Sequence, residues 1–184
     1  KAMHLMGASR GAHNHIIEEM SYYKEALRLK RLALNGGVEK DNNDDGDGNG
    51  GFDIENSSVS ISDTLHCMGF SYDYTGDYQS ALNCYEEALN IRTHLLGNDD
   101  LRVAETLHNK GAILCEEGDC EGSMECLDEA FRIRKLHHGE AHESCADTQQ
   151  WMGNVMREWG DYDEALEYFK VALKVKKAKL GKTH

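Results

Sequence analysis

Along most of this chain, apolar side chains recur at steps of three and four between charged and polar ones. Leu65, Met68, Gly69 and Tyr72 make one such stripe, and Tyr78, Ala81, Leu82, Tyr85, Ala88 and Leu89 make a second. That spacing lines one face of a helix, so each stripe predicts an amphipathic helix with its apolar side in a core. Between the stripes stands Gly76-Asp77, a helix stop followed by a residue that can cap the next helix. The predicted unit is therefore helix, short turn, helix. No stretch reads as a strand, and the sequence contains no proline to break a helix.

The unit repeats. Gly76-Asp77, Gly118-Asp119 and Gly160-Asp161 are 42 residues apart, and Gly69, Gly111 and Gly153 keep the same step. So do Thr64, Thr106 and Thr148, and Ala88, Ala130 and Ala172. A fixed period of this length is the signature of a stacked repeat array.

These residues carry a resemblance. Leu65, Met68, Gly69, Tyr72, Ala81, Tyr85 and Ala88 stand at the spacings of the tetratricopeptide pattern, whose repeat is about 34 residues long. Leu107, Lys110, Gly111, Leu114, Ser123, Leu127 and Ala130 answer them, as do Gln149, Met152, Gly153, Met156, Ala165, Phe169 and Ala172. The first Trp and the closing Pro of the pattern are missing. The longer period and the stretches EEALNIRTHLLGNDD and KVALKVKKAKLGKTH resemble the kinesin light chain type of repeat. The resemblance implies an all-α fold: a tetratricopeptide-type α-solenoid of antiparallel helix pairs wound into a right-handed superhelix.

Aligned on that pattern, the chain divides into five parts. Residues 1–34 are a degenerate first repeat, truncated at its N-terminus, in which MHLMG answers LHCMG and YYKEALRLKRLAL answers CYEEALNIRTHLL. Residues 59–100 and 101–142 are the second and third repeats. Residues 143–184 are the fourth, running up to the start of a fifth, so the chain reads as a piece of a longer array. Residues 35–58 are an insertion containing DNNDDGDGNGG. Its spacing imitates a calcium loop beginning at Asp41 or at Asp45. However, the twelfth position, where the calcium loop needs a bidentate Glu, holds Phe52 in one register and Asn56 in the other. A disordered acidic tether accounts for the same composition.

Composition adds exclusions. The net charge of -13 is a poor match to the phosphates of nucleic acid, and no run of apolar residues reaches membrane-spanning length. With no signal peptide and no C-x-x-C pair among Cys67, Cys84, Cys115, Cys120, Cys126 and Cys145, a cytoplasmic protein with reduced thiols is expected. His137, His138 and His142 cluster, yet lack the four-ligand set of a zinc site. No nucleotide-binding, hydrolase or metalloprotease motif occurs, so neither catalytic residues nor cofactors nor metal ligands are expected. Trp159 is expected to pack between units, and Tyr72, Tyr78, Tyr85, Tyr162, Tyr168 and Phe169 in the core.

The remaining face of each first helix is the candidate site. In stacked helix pairs that helix lines the concave surface. The candidates are Asp63, His66, Phe70 and Asp73 in the second repeat, Glu105, His108, Ala112 and Cys115 in the third, and Asp147, Gln150, Asn154 and Arg157 in the fourth. His4, His66, His108 and Gln150 share one place in the period, a ladder of donors and acceptors suited to an extended peptide. The acids predict a ligand carrying Lys or Arg. The resemblance implies a non-catalytic scaffold that grips a peptide of a cargo or adaptor protein, as part of a motor or signalling complex. A regulatory array acting within a larger signalling protein or enzyme is the alternative. A calcium-responsive scaffold ranks third.

Overall fold

The computed structural model describes residues 16, 18, 20–32 and 54–180. Seven helices lie among them. They are α1 (20–32), α2 (Ile54–Thr75), α3 (Tyr78–Leu96), α4 (Leu101–Glu116), α5 (Cys120–His138), α6 (Glu143–Trp159) and α7 (Tyr162–Leu180). No strand occurs among the described residues. Helix α2 begins inside the segment 35–58. The acidic run DNNDDGDGNGG and both calcium registers up to Asp53 lie outside the described residues, as does His4.

The glycine-aspartate turns form for a local reason. Gly76, Gly118 and Gly160 each take a positive φ, near 80°, which reverses the chain and which side chains with a Cβ resist. The next residue then caps the following helix. Asp77, Asp119 and Asp161 accept hydrogen bonds from the backbone N–H of Ser80, Gly122 and Glu164 at 3.2, 3.0 and 3.1 Å. Gly97 and Gly139 also take a positive φ, 86° and 80°, in the turns leading into α4 and α6, although ψ is 158° at Gly139 and 6° at Gly160. Positive-φ glycines thus recur every 21 residues, at 76, 97, 118, 139 and 160.

The chain forms two compact units, one up to Ile91 and one from Arg92. In the first, Leu27 of α1, Ile61, Leu65 and Met68 of α2 and Ala88 of α3 form the core, with Tyr23, Tyr72, Cys84 and Ile91 packed around it. Gly69 lies under the ring of Tyr85, where a Cβ would stand 2.6 Å from a ring carbon. In the second unit α4 pairs with α5 and α6 with α7, and α6 packs against both α5 and α4. Cys115, Cys120, Leu127, Met152 and Val155 form a buried cluster, lined by Met124, Phe131, Trp151 and Tyr168. Gly153 meets Phe169 as Gly69 meets Tyr85, with a Cβ 2.7 Å from the ring. The two glycines serve close helix approach.

A cation near the end of one helix pair holds the first helix of the next. Lys30 donates to the carbonyl of Ser60 and to Thr64 Oγ1, at 3.1 and 2.7 Å. Arg92 donates to the carbonyl of Arg102 and to Thr106 Oγ1, at 2.8 and 2.6 Å. Arg134 does the same with Ser144 and Thr148, at 2.9 and 2.7 Å. Each Thr hydroxyl donates in turn to that same carbonyl. The three periodic threonines are therefore parts of a junction, and Thr106 and Thr148 are fully buried.

Two expectations need correction. Trp159 is 52% exposed and Tyr162 is 70% exposed, so neither is a core residue here. Tyr162 holds the place of Cys120 in α5. Cys120 is buried because α6 lies across it, whereas no described helix covers the corresponding side of α7.

Candidate functional site

The predicted site residues divide between the units. On α2, Phe70 is exposed, while Asp63, His66 and Asp73 are half-buried. The His66 ring leans on Tyr85, with centroids 5.4 Å apart. On α4 and α6, which pack side by side, Glu105, Gln150 and Arg157 are exposed and His108, Ala112, Asp147 and Asn154 are half-buried. Cys115 does not belong with them: it is buried in the cluster with Cys120 and Met152. At its place in the turn of α4, the apolar side of the helix has already rotated under α6.

His108 is the most constrained of these side chains. Its Nδ1 is buried and has no hydrogen-bond partner. Burial, followed by the charge of Arg134, lowers its pKa from 6.5 to about 4, partly offset by Asp147. The imidazole is therefore neutral at physiological pH, and it faces both the Arg134 junction and Asp147.

Asp147 and Gln150 already hold a cation. Lys176 of α7 places its ammonium 2.8 Å from the Asp147 carboxylate and 2.7 Å from Gln150 Oε1. In the 42-residue period, Lys176 is the counterpart of Arg134 and Arg92. Glu105 stands 4.0 Å from the buried Arg92. The acids of this surface are thus set among the chain's own cations. Asn154 differs: its side chain makes no hydrogen bond among the described residues, so its amide offers two donors and an acceptor to solvent.

The other chemical candidates resolve simply. His138 and His142 stack with ring centroids 4.3 Å apart, and His142 Nδ1 accepts the backbone N–H of Ser144 as the cap of α6. No cluster of three metal-ligating side chains occurs among the described residues. A cavity of about 630 Å³ opens between the 140–143 turn and α7, walled by Ala141, Val171, Val175 and Ala178 with Lys174 and Lys179 at its rim. Glu140, His142 and Glu143 also line it.

The paired helices, the 42-residue period and the glycine approaches all belong to one kind of repeat. The tetratricopeptide repeat model matches residues 60–135 and again 102–178. The chain belongs to the tetratricopeptide repeat family. The array also resembles solved structures. BtubC (BKLC) from P. vanneervenii is 22% identical, with a TM-score of 0.64 over 88% of this chain and 59% of that one. The chain therefore spans less than two thirds of that relative's length. A putative kinesin light chain with nearly identical TPR-like repeats from Podosopora anserina is 13% identical, with a TM-score of 0.56 over 93% of this chain and 95% of that one. MamA is 15% identical, with a TM-score of 0.51 over 97% and 94%. At these identities the likeness shows the fold. No curated protein matches the sequence. No helix among the described residues of the array is long and apolar enough to cross a membrane.

The array's junction cations, Lys30, Arg92 and Arg134, escaped sequence reasoning. A signal was available: in two junctions an Arg precedes a periodic Thr by 14 residues, as Arg92 precedes Thr106 and Arg134 precedes Thr148.

Proposed function

We propose that this tetratricopeptide array is a non-catalytic scaffold that binds an extended peptide of a cargo or adaptor protein on the α4–α6 face. The observation that carries this reading is Asn154, a half-buried amide without a side-chain hydrogen bond among the described residues. It stands one turn beyond Gln150, and its counterpart one period earlier, on the packed helix α4, is the small Ala112. An amide so placed can pair with both N–H and C=O of a peptide backbone, and small neighbours leave the backbone room to approach. Glu105 and Asp147 favour a ligand with Lys or Arg, which would compete with Lys176 for Asp147 and Gln150. Family membership supports a role in protein–protein interaction. Arg157 is proposed to bound this face, and the repeat-two residues Asp63, His66, Phe70 and Asp73 are proposed as a peptide-binding face of the first unit, taken by itself.

A peptide-display selection on the whole chain tests the reading. Enriched peptides are expected to contain a basic residue and to bind near micromolar, about -8 kcal/mol. Asn154→Ala and Asp147→Asn should each weaken binding about tenfold with the helical circular dichroism unchanged. Selected peptides that bind both variants as tightly as the original chain would remove the site from this face.

A further inference from the structure

In the second unit a polar clamp at one helix is matched by a cavity one period later. Beside α5, the turn that leads into α4 is tied down. Arg132 reaches the Asp99 carboxylate at 2.5 Å and Glu129 at 2.8 Å, and His137 Nε2 donates to the Asp99 carbonyl at 2.7 Å. Beside α7 the same places hold Ala141 for Asp99, Val171 for Glu129 and Lys174 for Arg132, while Val175 and Ala178 stand for Ile133 and Leu136. Each of these residues is smaller or shorter than its counterpart. Between the 140–143 turn and α7 they leave the cavity of about 630 Å³, walled by Ala141, Val171, Val175 and Ala178. That volume, and an apolar wall with a few polar groups at its edge, are those of a small-molecule site. By the helical period these α7 residues lie opposite Leu166, Phe169 and Leu173, whose counterparts Met124, Leu127 and Phe131 carry α6 on α5. The cavity is therefore not on the side of α7 where a further repeat would stack.

We propose that this cavity binds a small apolar monocarboxylate, with its hydrocarbon body among the four apolar walls and its carboxylate on Lys174. The charges at the rim set that chemistry. Glu140 is paired with Lys135 at 2.6 Å, Glu143 is paired with Lys179, and His142 caps α6 through Nδ1. Lys174 makes no ion pair and no side-chain hydrogen bond among the described residues. The acids that hold Arg132 have only Ala141 and Val171 in their places here. One cation is left for a ligand, and a single carboxylate matches it. A peptide segment fits less well, because its buried N–H and C=O groups would need partners that an apolar wall does not supply. The cavity is separate from the α4–α6 face, and the inference stands whether or not that face binds a peptide.

Octanoate is the probe, titrated into the whole chain by isothermal calorimetry. Saturable one-to-one binding with a Kd below about 1 mM is expected. Lys174→Met should weaken octanoate about tenfold and leave the binding of octanol, which carries no charge, unchanged. Two variants close the cavity with the residues found one period earlier. Ala178→Leu takes the side chain of Leu136, and Ala141→Asp with Val171→Glu and Lys174→Arg rebuilds the clamp. Either should weaken octanoate at least tenfold with the helical circular dichroism kept. Leu173→Asp, on the opposite side of α7, should leave it unchanged. No saturable binding, binding that survives Ala178→Leu in the folded chain, or an equal loss in Leu173→Asp overturns the inference. A blocked peptide of apolar residues ending in one aspartate supplies a further arm. If it displaces octanoate at lower concentration than octanoate itself requires, the cavity belongs to a protein segment and the small-molecule reading is overturned.

Discussion

His108 carries the most informative single side chain in the molecule. Its pKa is lowered to about 4 by burial and by Arg134, so the fold accepts only its neutral form. The unfolded chain binds the proton at the ordinary value of 6.5 and the folded chain does not until about 4. Stability is therefore complete above pH 6.5 and falls as the pH drops from 6.5 towards 4, by an amount on the order of 3 kcal/mol from this residue. Urea unfolding across that window should show the loss, and His108→Gln should flatten the profile. Gly153 makes a second residue-scale case. Adding a Cβ there meets the Phe169 ring at 2.7 Å, and overpacking of this kind costs about 1–3 kcal/mol. Gly153→Ala is expected to lower the midpoint of thermal unfolding, and Gly153→Ala combined with Phe169→Leu to recover part of it. His108 was legible in the sequence as a position but not as an environment: the period puts it on the exposed side of α4, while the neighbouring α6 and the reach of Arg134 bury its Nδ1.

Among the elements, helices and intra-pair turns were readable because two independent signals agree on them. The three- and four-residue steps locate the faces, and Gly-Asp supplies the stop and the cap together. The depth of burial within each first helix was less readable. Leu107, Lys110 and Leu114 stand on the stripe yet are half-buried, whereas Val103, Ala104 and Thr106 are buried at 0–2% exposure. A helix that packs on its partner and also on the next pair has two buried sides, and a single-stripe reading finds only one. Thr106 and Thr148 were visible as periodic residues, but their meaning needs the cation that arrives from the preceding helix. Removing Arg134 leaves the half-buried Ser144 carbonyl and the Thr148 hydroxyl without their charged donor, a loss of about 1–3 kcal/mol. Arg134→Met and Thr148→Val are expected to destabilise the chain less together than the sum of the two alone, which a double-mutant cycle in denaturant measures directly.

For the whole molecule, the family was legible from the sequence and the partner was not. Stacked repeats fix a backbone that many proteins share, whereas recognition depends on a few exposed side chains such as Asn154 and Lys176. The structure changes what the charge means. The net charge of -13 suggested openly acidic surfaces, but Asp147 is paired with Lys176 and Asp99 with Arg132. These pairs occupy particular acids locally, while the net charge of -13, in which the cations are already counted, still attracts a basic ligand at long range. Raising the salt concentration from 0.05 to 0.5 M is therefore expected to slow association of a basic peptide several-fold with a smaller change in its dissociation rate, measurable by stopped-flow mixing.

The even spacing of the turn glycines has a further consequence. Because Gly97 and Gly139 share a positive φ, 86° and 80°, and stand one full period apart, the chain can be shortened between them with like joined to like. After excision of residues 98–139, Arg92 would find the Ser144 carbonyl and Thr148 where it now finds those of Arg102 and Thr106. The same cut moved by half a period would bring a first helix where a second belongs and strand the arginine. Gene segments coding for this array could therefore be lost or duplicated by unequal crossing-over at no cost to the joint, provided the exchange keeps step. Length, in such a protein, is a heritable variable that changes in whole units.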